Sequence, residues 1–346
     1  MKTFKKTLLA AGLLTATSMA HAGYDIKIDD NSKITFGGYL QGDVRYVDGN
    51  VNSYLGDFWI GNASEDPDGI QTTKFSVASS RLNTKYTNGD VTGFVEIDFY
   101  TNEGNEVLTN SIQPRLRHAF IKYKNWTVGQ TWSTFMNTSS IAESVDFGGP
   151  LVATAFVRQT QIRYTHGGFQ FALENPESYG GDTSQDSIPD VVGKYTFKGD
   201  WGNVAVSAVA RQLNTTGGET ESAFGYGVSG RINTFGKDDL RFAFHGGSSG
   251  RYVGAAASTD LVGEEVEDAT SIMVSYRHFW TDTLRSNLYY GNTETDVSDR
   301  DRTHWGVNVF QQINKQLSVG VEIGNYEVAD LDIDSDYGQF SVKYVL

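Results

Sequence analysis

Arginine is the residue type whose placement in this 346-residue chain most clearly suggests chemistry. The planar guanidinium group stays charged at physiological pH and can hold a carboxylate through two parallel hydrogen bonds. Arginines recur within segments in which apolar and polar residues alternate, whereas acidic residues dominate most of the stretches between those segments. The chain therefore separates its charges, within a net charge of -14. The basic residues of the alternating segments include Arg45, Arg81, Lys85, Arg115, Arg117, Arg163, Arg211, Arg231, Arg241, Arg277 and Arg285.

Alternation with a period of two defines the elements that must position these arginines. Phe169, Phe171 and Leu173, for example, alternate with Gln170 and Glu174. A β-strand places successive side chains on opposite faces, so each such segment predicts a strand with one apolar and one polar face. The sequence contains sixteen of them, near residues 33–46, 72–87, 91–100, 113–123, 126–133, 158–165, 168–175, 190–198, 203–212, 223–233, 239–247, 270–279, 283–291, 303–311, 316–326 and 336–346.

The connections between the predicted strands alternate between short and long. Tight turns such as Asn88-Gly89-Asp90 follow every second strand, and connections of roughly 9 to 25 residues follow the others. Short turns on one side and long loops on the other are typical of a bacterial outer-membrane barrel. Most segments have about the 9 to 11 residues that a tilted strand needs to cross a bilayer. The sequence therefore predicts an all-β fold, a 16-stranded antiparallel transmembrane β-barrel.

The strand arginines should face the lumen of such a barrel. An arginine on the lipid face costs about 2 to 4 kcal/mol at the membrane midplane. We call the odd or even place of a residue in this alternation its parity. The parity of Arg163 and Arg211 puts them on the polar face of their segments, which agrees with an inward position. Arg115 and Arg117 share their parity with the apolar Ala119, which a β-bulge in that strand would explain.

A soluble periplasmic β-sandwich would also show alternation, and it is the competing fold. Two features favour the barrel. The last residues alternate almost to the end of the chain, and aromatic residues cluster near the predicted strand ends, as expected at the two membrane interfaces. These aromatic residues are Tyr46, Tyr100, Trp126, Trp201, Trp280, Tyr290, Trp305 and Tyr344.

The first 22 residues have the features of an export signal. Three lysines within residues 2–6 precede the apolar segment 7–20, and Ala20-His21-Ala22 supplies the small-x-small pattern of a signal-peptidase site. We therefore expect a signal peptide at residues 1–22 and the barrel domain at residues 23–346. No later segment approaches the ~20 consecutive apolar residues of a transmembrane helix. The acidic net charge offers no basic surface to nucleic acid, so we expect no such partner.

The long loops carry most of the acidic residues, which we interpret as a solvated exterior. Cation-bridged contact with outer-membrane lipopolysaccharide is a looser interpretation. No Asp-x-Asp-x-Asp-Gly segment with a terminal Glu occurs, so Asp330-x-Asp332-x-Asp334 is only suggestive of calcium, and we expect no metal or other cofactor. The loop acids include Asp48, Asp57, Glu65, Asp66, Asp68, Asp260, Glu264, Glu265, Glu267, Asp268, Glu294, Asp296, Asp299, Asp301, Glu327, Asp330, Asp332 and Asp334.

Residues 134–157, between the fifth and sixth predicted strands, are unusually apolar for an exposed loop. They include Ile141-Ala142-Glu143-Ser144-Val145-Asp146-Phe147-Gly148-Gly149-Pro150. Inside a sixteen-stranded barrel, such a loop can fold inward, narrow the pore and turn its acids toward the arginines. The alternative is an external loop packed on its neighbours. We expect residues 134–157 to be a constriction loop.

Several segments of the mature chain have a distinctive composition. They are Ser80-Arg81-Leu82, Arg115-Leu116-Arg117-His118-Ala119, Gly129-Gln130-Thr131-Trp132-Ser133, Asp146-Phe147-Gly148-Gly149-Pro150 and Arg158-Gln159-Thr160-Gln161-Ile162-Arg163-Tyr164-Thr165. Together they resemble the DcaP-like family of trimeric outer-membrane porins, and the resemblance spans the whole mature chain. It implies a homotrimer of channels that admit small organic anions, particularly dicarboxylates, through a basic constriction. By this likeness the candidate residues are Arg81, Arg115, Arg117, Arg158 and Arg163 of the wall, with Glu143 and Asp146 of the inward loop.

Two features depart from the pattern of that family. Some members carry a helical periplasmic extension before the barrel, and residues 23–32 are too short to hold one. The last residue is Leu346, where barrels of this kind usually end in Phe. The first departure puts a coiled-coil contribution to trimerisation in doubt, and the second bears on recognition by the assembly machinery.

Passive diffusion through a water-filled lumen is the mechanism that these features predict. The alternative from another class is an outer-membrane barrel enzyme of the lipase or protease type, built on a Ser–His or Asp–His pair. A purely structural barrel is a third interpretation. The histidines of the mature chain stand singly, without a Gly-x-Ser-x-Gly or His-x-Glu neighbour, which disfavours the enzyme. They are His118, His166, His245, His278 and His304.

Overall fold

A closed antiparallel barrel of sixteen strands forms the body of the computed structural model, which describes residues 23–101 and 104–346. The predicted signal peptide at residues 1–22 lies outside the described residues. The strands are β1 (Ser32–Val51), β2 in two segments (Glu65–Ser76 and Arg81–Asn88), β3 (Val91–Asp98), β4 (Arg115–Tyr123), β5 (Trp126–Trp132), β6 (Arg158–His166), β7 (Phe169–Glu174), β8 (Asp190–Gly199), β9 (Gly202–Asn214), β10 (Thr220–Asn233), β11 (Asp239–Gly247), β12 (Ala269–Phe279), β13 (Leu284–Thr295), β14 (Asp301–Gln312), β15 (Leu317–Val328) and β16 (Ile333–Val345).

Strand pairing follows the chain and closes on itself. Each strand pairs with its sequence neighbours, and β16 pairs with β1 so that Tyr39 lies opposite Val345 and Gly49 opposite Ser335. A short strand, Tyr24–Lys27, pairs with the start of β1. The predicted fold class is therefore confirmed, and each predicted segment overlaps one strand of the barrel.

The connections contain only short further elements. None of the helices in the part of the chain that the structure describes is long and apolar enough to cross a membrane. The elements are an α-helix at Glu106–Thr109, 3-10 turns at Thr138–Ser140, Leu151–Ala153, Thr183–Gln185, Gly250–Tyr252 and Ala329–Leu331, and two small hairpins, Gly104–Asn105 with Ser111–Ile112 and Leu261–Val262 with Glu265–Val266.

Several strands are longer than the alternation predicts. β9 reaches Asn214 and β10 starts at Thr220, so only residues 215–219 connect them. Leu213 pairs with Glu221 in the ladder beyond the predicted ends. Backbone pairing does not depend on side-chain polarity, and polar residues at the rim therefore continue a strand that a hydropathy pattern ends too early.

The two faces of the wall differ in the way that the alternation predicts. On β15, Val321 and Ile323 are more than half exposed, whereas Glu322 between them is buried. The outward residues form an apolar exterior suited to lipid. The inward residues are buried because loops fill part of the lumen.

A β-bulge in β4 explains the ambiguous parity of its arginines. Glu96 of β3 pairs with His118 and Ile97 pairs with Leu116, so Arg117 is the extra residue between the two pairs. Both Arg117 and His118 are buried, and Leu116 is exposed on the outer face. The bulge therefore turns two successive polar side chains toward the interior.

β2 is interrupted at residues 77–80, next to β1. Ser79 Oγ donates a hydrogen bond of 2.7 Å to Asp43, and the backbone N–H of Gln41 donates to Ser80 Oγ at 3.0 Å. These side-chain contacts replace ladder hydrogen bonds across the gap. The strand resumes at Arg81, whose position on the inner wall is thereby fixed.

Three loops fold into the barrel and contact one another: the first loop (residues 52–64), the third loop (134–157) and the sixth loop (248–268). The N–H of Gly61 in the first loop donates to the Ala255 carbonyl of the sixth at 3.1 Å. The N–H of Gly254 in the sixth donates to the Thr154 carbonyl of the third at 3.0 Å. The sequence predicted an inward position only for the third loop.

Candidate functional site

The third loop is attached to the wall opposite its own strands. Arg45 of β1 forms an ion pair of 2.5 Å with Asp146, and both side chains are buried. The carboxylate of Glu322 on β15 accepts the N–H groups of Val145 at 2.7 Å and Asp146 at 3.1 Å. These contacts lie far from β5 and β6 around the sheet, so the loop crosses the interior of the barrel.

Asp146 sits in an environment that opposes its charge. Burial raises the pKa of the Asp146 carboxyl to about 7, the positive charge of Arg45 opposes this shift, and the negative charge of Glu322 adds to it. Because the pKa in the folded protein exceeds the ordinary value, the folded state binds this proton more tightly. Protonation therefore favours the attached loop below pH 4, and this contribution is lost as pH rises through about 7.

Glu143 attaches the third loop to a second part of the wall. Arg285 of β13 holds its carboxylate through two atoms, Nη2 at 2.7 Å and Nε at 3.0 Å, and Arg277 of β12 approaches at 3.3 Å. Burial alone would raise the pKa of Glu143, but the hydrogen bond and charge of Arg285, with the charges of Arg277 and Arg241, hold it below its usual value. Glu143 is therefore a carboxylate neutralised by the wall.

Two of the predicted wall arginines are occupied by acids of β3. Arg115 binds Asp98 through Nη2 at 2.8 Å and Nε at 2.9 Å, and Arg117 binds Asp98 at 2.7 Å and Glu96 at 2.9 Å. Arg117 and Asp98 are fully buried. Glu96 and Asp98 were not predicted as site residues. Their spacing of two residues on β3, the neighbour of β4, is the feature of the sequence that could have indicated them.

Arg81 and Arg158 contact aromatic rings instead of acids. The guanidinium carbon of Arg158 lies 4.9 Å from the ring centroid of Trp132. That of Arg81 lies 5.5 Å from Tyr39 and 5.4 Å from Phe147 of the third loop. Within residues 23–101 and 104–346, neither guanidinium forms an ion pair. A cation is attracted to the face of a ring without being neutralised, so both arginines keep their full charge.

The rings bring four predicted arginines together. Arg117 lies over both Trp132 and Phe147, at 5.7 Å and 5.8 Å, between Arg158 on one ring and Arg81 on the other. Arg115 shares Asp98 with Arg117. We call the set Arg81, Arg115, Arg117 and Arg158 the basic cluster.

Arg163 does not join the basic cluster. It lies five residues beyond Arg158 on β6, roughly 16 Å along an extended strand. Its Nη1 donates to the Trp132 carbonyl at 3.3 Å rather than lying over the ring. Its place among the candidate selectivity residues stays a prediction, because parity identifies the inner face of a strand but not the height on the barrel axis.

Parts of the acidic loops are buried, contrary to the predicted solvated exterior. Asp260 of the sixth loop forms an ion pair with Arg211 of β9, and both are buried. Asp190 of β8 accepts a hydrogen bond of 2.8 Å from the hydroxyl of Tyr252, in the same loop as Asp260. Asp190 also accepts a hydrogen bond of 3.1 Å from Arg211. Partners far away in the sequence neutralise these acids, so the loop turns inward despite its charge.

Three histidines have side-chain partners that bear on the enzyme alternative, and one of them, His278, forms an Asp–His pair with Asp238. His118 Nδ1 lies 3.1 Å from Thr131 Oγ1, His278 Nδ1 lies 2.6 Å from Asp238 and His304 Nε2 lies 2.9 Å from the Tyr337 hydroxyl. In the described part of the chain, these three rings contact no serine hydroxyl, and no group of three or more His, Cys, Asp or Glu is placed to hold a metal ion. Asp330 forms an ion pair with Arg302.

The chain is similar to known outer-membrane proteins over almost its whole length. The outer membrane channel DcaP of Acinetobacter baumannii is 19% identical, with a TM-score of 0.80 over 93% of this chain and 99% of that chain. OmpF of Salmonella typhi, in a complex with daunomycin, is 15% identical, with a TM-score of 0.62 over 93% of this chain and 100% of that one.

An anion-selective porin from Comamonas acidovorans is 12% identical, with a TM-score of 0.59 over 91% of this chain and all 100% of that chain. At these identities the likeness shows the fold. The comparison with curated proteins gave no match. A family model described as DcaP outer membrane protein matches residues 14–341. The chain therefore belongs to the DcaP outer membrane protein family, whose barrel it shares with outer-membrane channels.

Proposed function

We propose that this barrel is a passive channel for small organic anions, with a preference for dicarboxylates. The observation that carries the proposal is the charge balance of the basic cluster. Its four arginines face two carboxylates, Glu96 and Asp98, so two positive charges are left over. Arg81 and Arg158 hold that excess on aromatic rings, and neither forms an ion pair within residues 23–101 and 104–346.

The arrangement of the two unpaired guanidiniums supports the preference for two carboxylates. Arg81 and Arg158 lie on different rings of one cluster, with the paired Arg117 between them. A solute with two carboxylates can meet one guanidinium with each end. Passage requires that such binding stay weak enough for release, so we expect dissociation constants in the micromolar to millimolar range.

The third loop supplies the constriction in this proposal. Its Phe147 faces Arg81 and Arg117, while Glu143 and Asp146 are held by arginines of the opposite wall. The loop acids are therefore neutralised where they attach. This leaves the loop's aromatic ring, not its carboxylates, beside the basic cluster.

Solute uptake into proteoliposomes tests the function. We expect the purified protein to admit succinate faster than a neutral sugar of similar size, and to admit a diamine of similar length most slowly. Arg81→Gln with Arg158→Gln should abolish the preference while leaving sugar uptake unchanged. Equal uptake of all three solutes by the wild type would contradict the proposed selectivity, and no uptake would favour the structural barrel.

A homotrimer is part of the proposal. The helix Glu106–Thr109 between β3 and β4 presents Val107 and Leu108 outward, with 94% and 79% of these residues exposed in a single barrel. Exposed apolar side chains on a connection between strands favour burial against another chain. Native mass spectrometry in mild detergent should show three copies, and a monomer under these conditions would argue against it.

Export to the outer membrane by cleavage of residues 1–22 is also proposed, on the lysines and the Ala20-His21-Ala22 segment. Mass spectrometry of the membrane-inserted protein should find Gly23 at the amino terminus. A mature chain that retains Met1 would contradict this step.

A further inference from the structure

Lys343, Tyr39 and Arg81 are neighbours on the inner wall where the barrel closes. They belong to three adjacent strands, β16, β1 and β2. Lys343 pairs with Gln41 in the ladder, and Tyr39 pairs with Arg81. Because Gln41 and Tyr39 are two residues apart, all of these side chains point to the same face of the sheet.

Two cations share the ring of Tyr39. The Lys343 ammonium nitrogen lies 4.5 Å from the ring centroid, and the guanidinium carbon of Arg81 lies 5.5 Å from it. The ring orients both groups without neutralising either. Two like charges held beside one ring repel each other, and an anion between them would relieve that repulsion.

The nearby acids are already engaged. Asp43 accepts hydrogen bonds from Gln41 at 3.0 Å, from Ser79 at 2.7 Å and from Ser341, and it forms no ion pair with Lys343. Glu143 is held by Arg285. Among the described residues, no carboxylate lies within ion-pair distance of Lys343. The ammonium group is therefore an unneutralised charge on the lumen wall.

Lys343 and Arg158 lie toward opposite ends of the barrel. Arg158 is the first residue of β6 after the long third loop, whereas Lys343 is close to the end of β16, near the short turn that follows Gln312. Arg81 contacts both Phe147 of the third loop and Tyr39. The unpaired cation Lys343 thus lies next to the basic cluster, with Arg81 as their common neighbour across the Tyr39 ring.

We infer that Lys343, Tyr39 and Arg81 form a second carboxylate-binding subsite, next to the basic cluster. The inference rests on the proposed anion channel and adds a step to it. A carboxylate released by Arg158 passes to Arg81 and then to Lys343, with Tyr39 holding both cations in place. A dicarboxylate can span the two subsites during this transfer.

Blockade of chloride current by succinate in planar bilayers tests the subsite. Lys343→Gln should weaken the blockade by succinate at least about threefold, the change expected when one partly solvated charge is lost. The control is Lys237→Gln, which removes a lysine paired with Asp282 in an exposed short turn and should leave the blockade unchanged. Tyr39→Leu should weaken it and Tyr39→Phe should retain it, because only the ring is required.

A cysteine variant distinguishes loss of the charge from misfolding of the substituted chain. The protein has no cysteine, so Lys343→Cys gives a single thiol that can be labelled in the assembled channel. A thiol reagent carrying a quaternary ammonium group should restore succinate blockade. A neutral reagent of similar size should not.

The outcomes separate the two proposals. A wild-type channel without anion preference would overturn the proposed function. Anion preference with succinate blockade that Arg81→Gln weakens, but that Lys343→Gln and both thiol reagents leave unchanged, would overturn the second subsite alone. Weakening by Lys343→Gln together with rescue by the cationic reagent supports it.

Discussion

Arginines on the inner wall of this barrel differ in what surrounds the guanidinium group. Arg45, Arg115, Arg117 and Arg285 bind carboxylates, and their charge is largely cancelled. Arg158 and Arg81 lie over aromatic rings and keep theirs. The first kind holds the structure together and, in the proposed channel, the second kind binds solutes, so substitutions of the two kinds should have different consequences.

Replacing Arg117 should lower stability more than replacing Arg158. Arg117→Met removes the arginine that neutralises Glu96 and leaves this carboxylate with a hydrogen bond from Asn83, while Arg115 still holds Asp98. We therefore expect a loss of about 3 kcal/mol, the lower end of the cost of breaking a buried ion pair. Arg158→Gln removes only contact with a ring and should cost less than about 1 kcal/mol. Urea unfolding in detergent, followed by the shift of the folded band on gels, measures both. Equal losses would contradict the distinction.

Asp146 should make anion preference depend on pH. Since burial raises its pKa to about 7, lowering the pH from 8 to 6 protonates Asp146 while Arg45 stays charged. The third loop then carries one negative charge less, and the preference for chloride over potassium should increase. Reversal potentials at the two pH values measure this change. Asp146→Asn is the control, and a pH response that persists in it would assign the effect to another group.

At the scale of elements, the first, third and sixth loops form one interlocked layer inside the barrel. Trp59 of the first loop is buried and stacks on Tyr326 of β15, with centroids 4.9 Å apart, and the Tyr326 hydroxyl donates to the Ile60 carbonyl at 2.8 Å. Glu322, four residues earlier on β15, holds the third loop. The first and third loops thus both depend on a few residues of β15.

Releasing the first loop should widen the channel. Trp59→Ala removes the stack on Tyr326, and we expect a higher and noisier single-channel conductance because the loop also touches Ala255 of the sixth loop. Trp201→Ala, in an exposed short turn, is the matched control and should conduct as the wild type does. Unchanged conductance in Trp59→Ala would show that the first loop does not limit the path.

Sequence periodicity was sufficient for the strands and insufficient for the loops. Period two identifies a strand from local residues alone, and the apolar run from Ile141 to Pro150 marked the third loop. The inward position of the sixth loop was not predicted, because an acid such as Asp260 in a loop indicates exposure to solvent. Only the folded barrel brings Arg211 to Asp260. The two residues are 49 positions apart, so no local pattern indicates that they pair.

The candidate site shows the same limit. The family resemblance named Arg81, Arg115, Arg117, Arg158 and Arg163, but neither it nor the alternation gave their height on the barrel axis or their partners. Glu96 and Asp98 of β3 bind two of them, Arg117 and Arg115. Contacts between strands and loops of the closed barrel decide which arginines remain unpaired. The local sequence pattern does not indicate these contacts.

At the scale of the whole molecule, an acidic chain encloses a lumen with unneutralised positive charge. The net charge of -14 resides largely in loops and turns, whereas Arg158, Arg81 and Lys343 lie over aromatic rings of the wall. Selectivity should follow the charges that line the pore, because exposed loop charges are screened within about 8 to 10 Å at physiological salt.

The reversal potential of the wild-type channel under a tenfold potassium chloride gradient shows whether the wall charges or the net charge set the selectivity. Unpaired cations on the wall should give a sign that reports chloride as the more permeant ion, and a shift toward zero in the double variant Arg81→Gln with Arg158→Gln. A potential of the opposite sign, which the acidic net charge alone would suggest, would contradict selectivity by the wall charges.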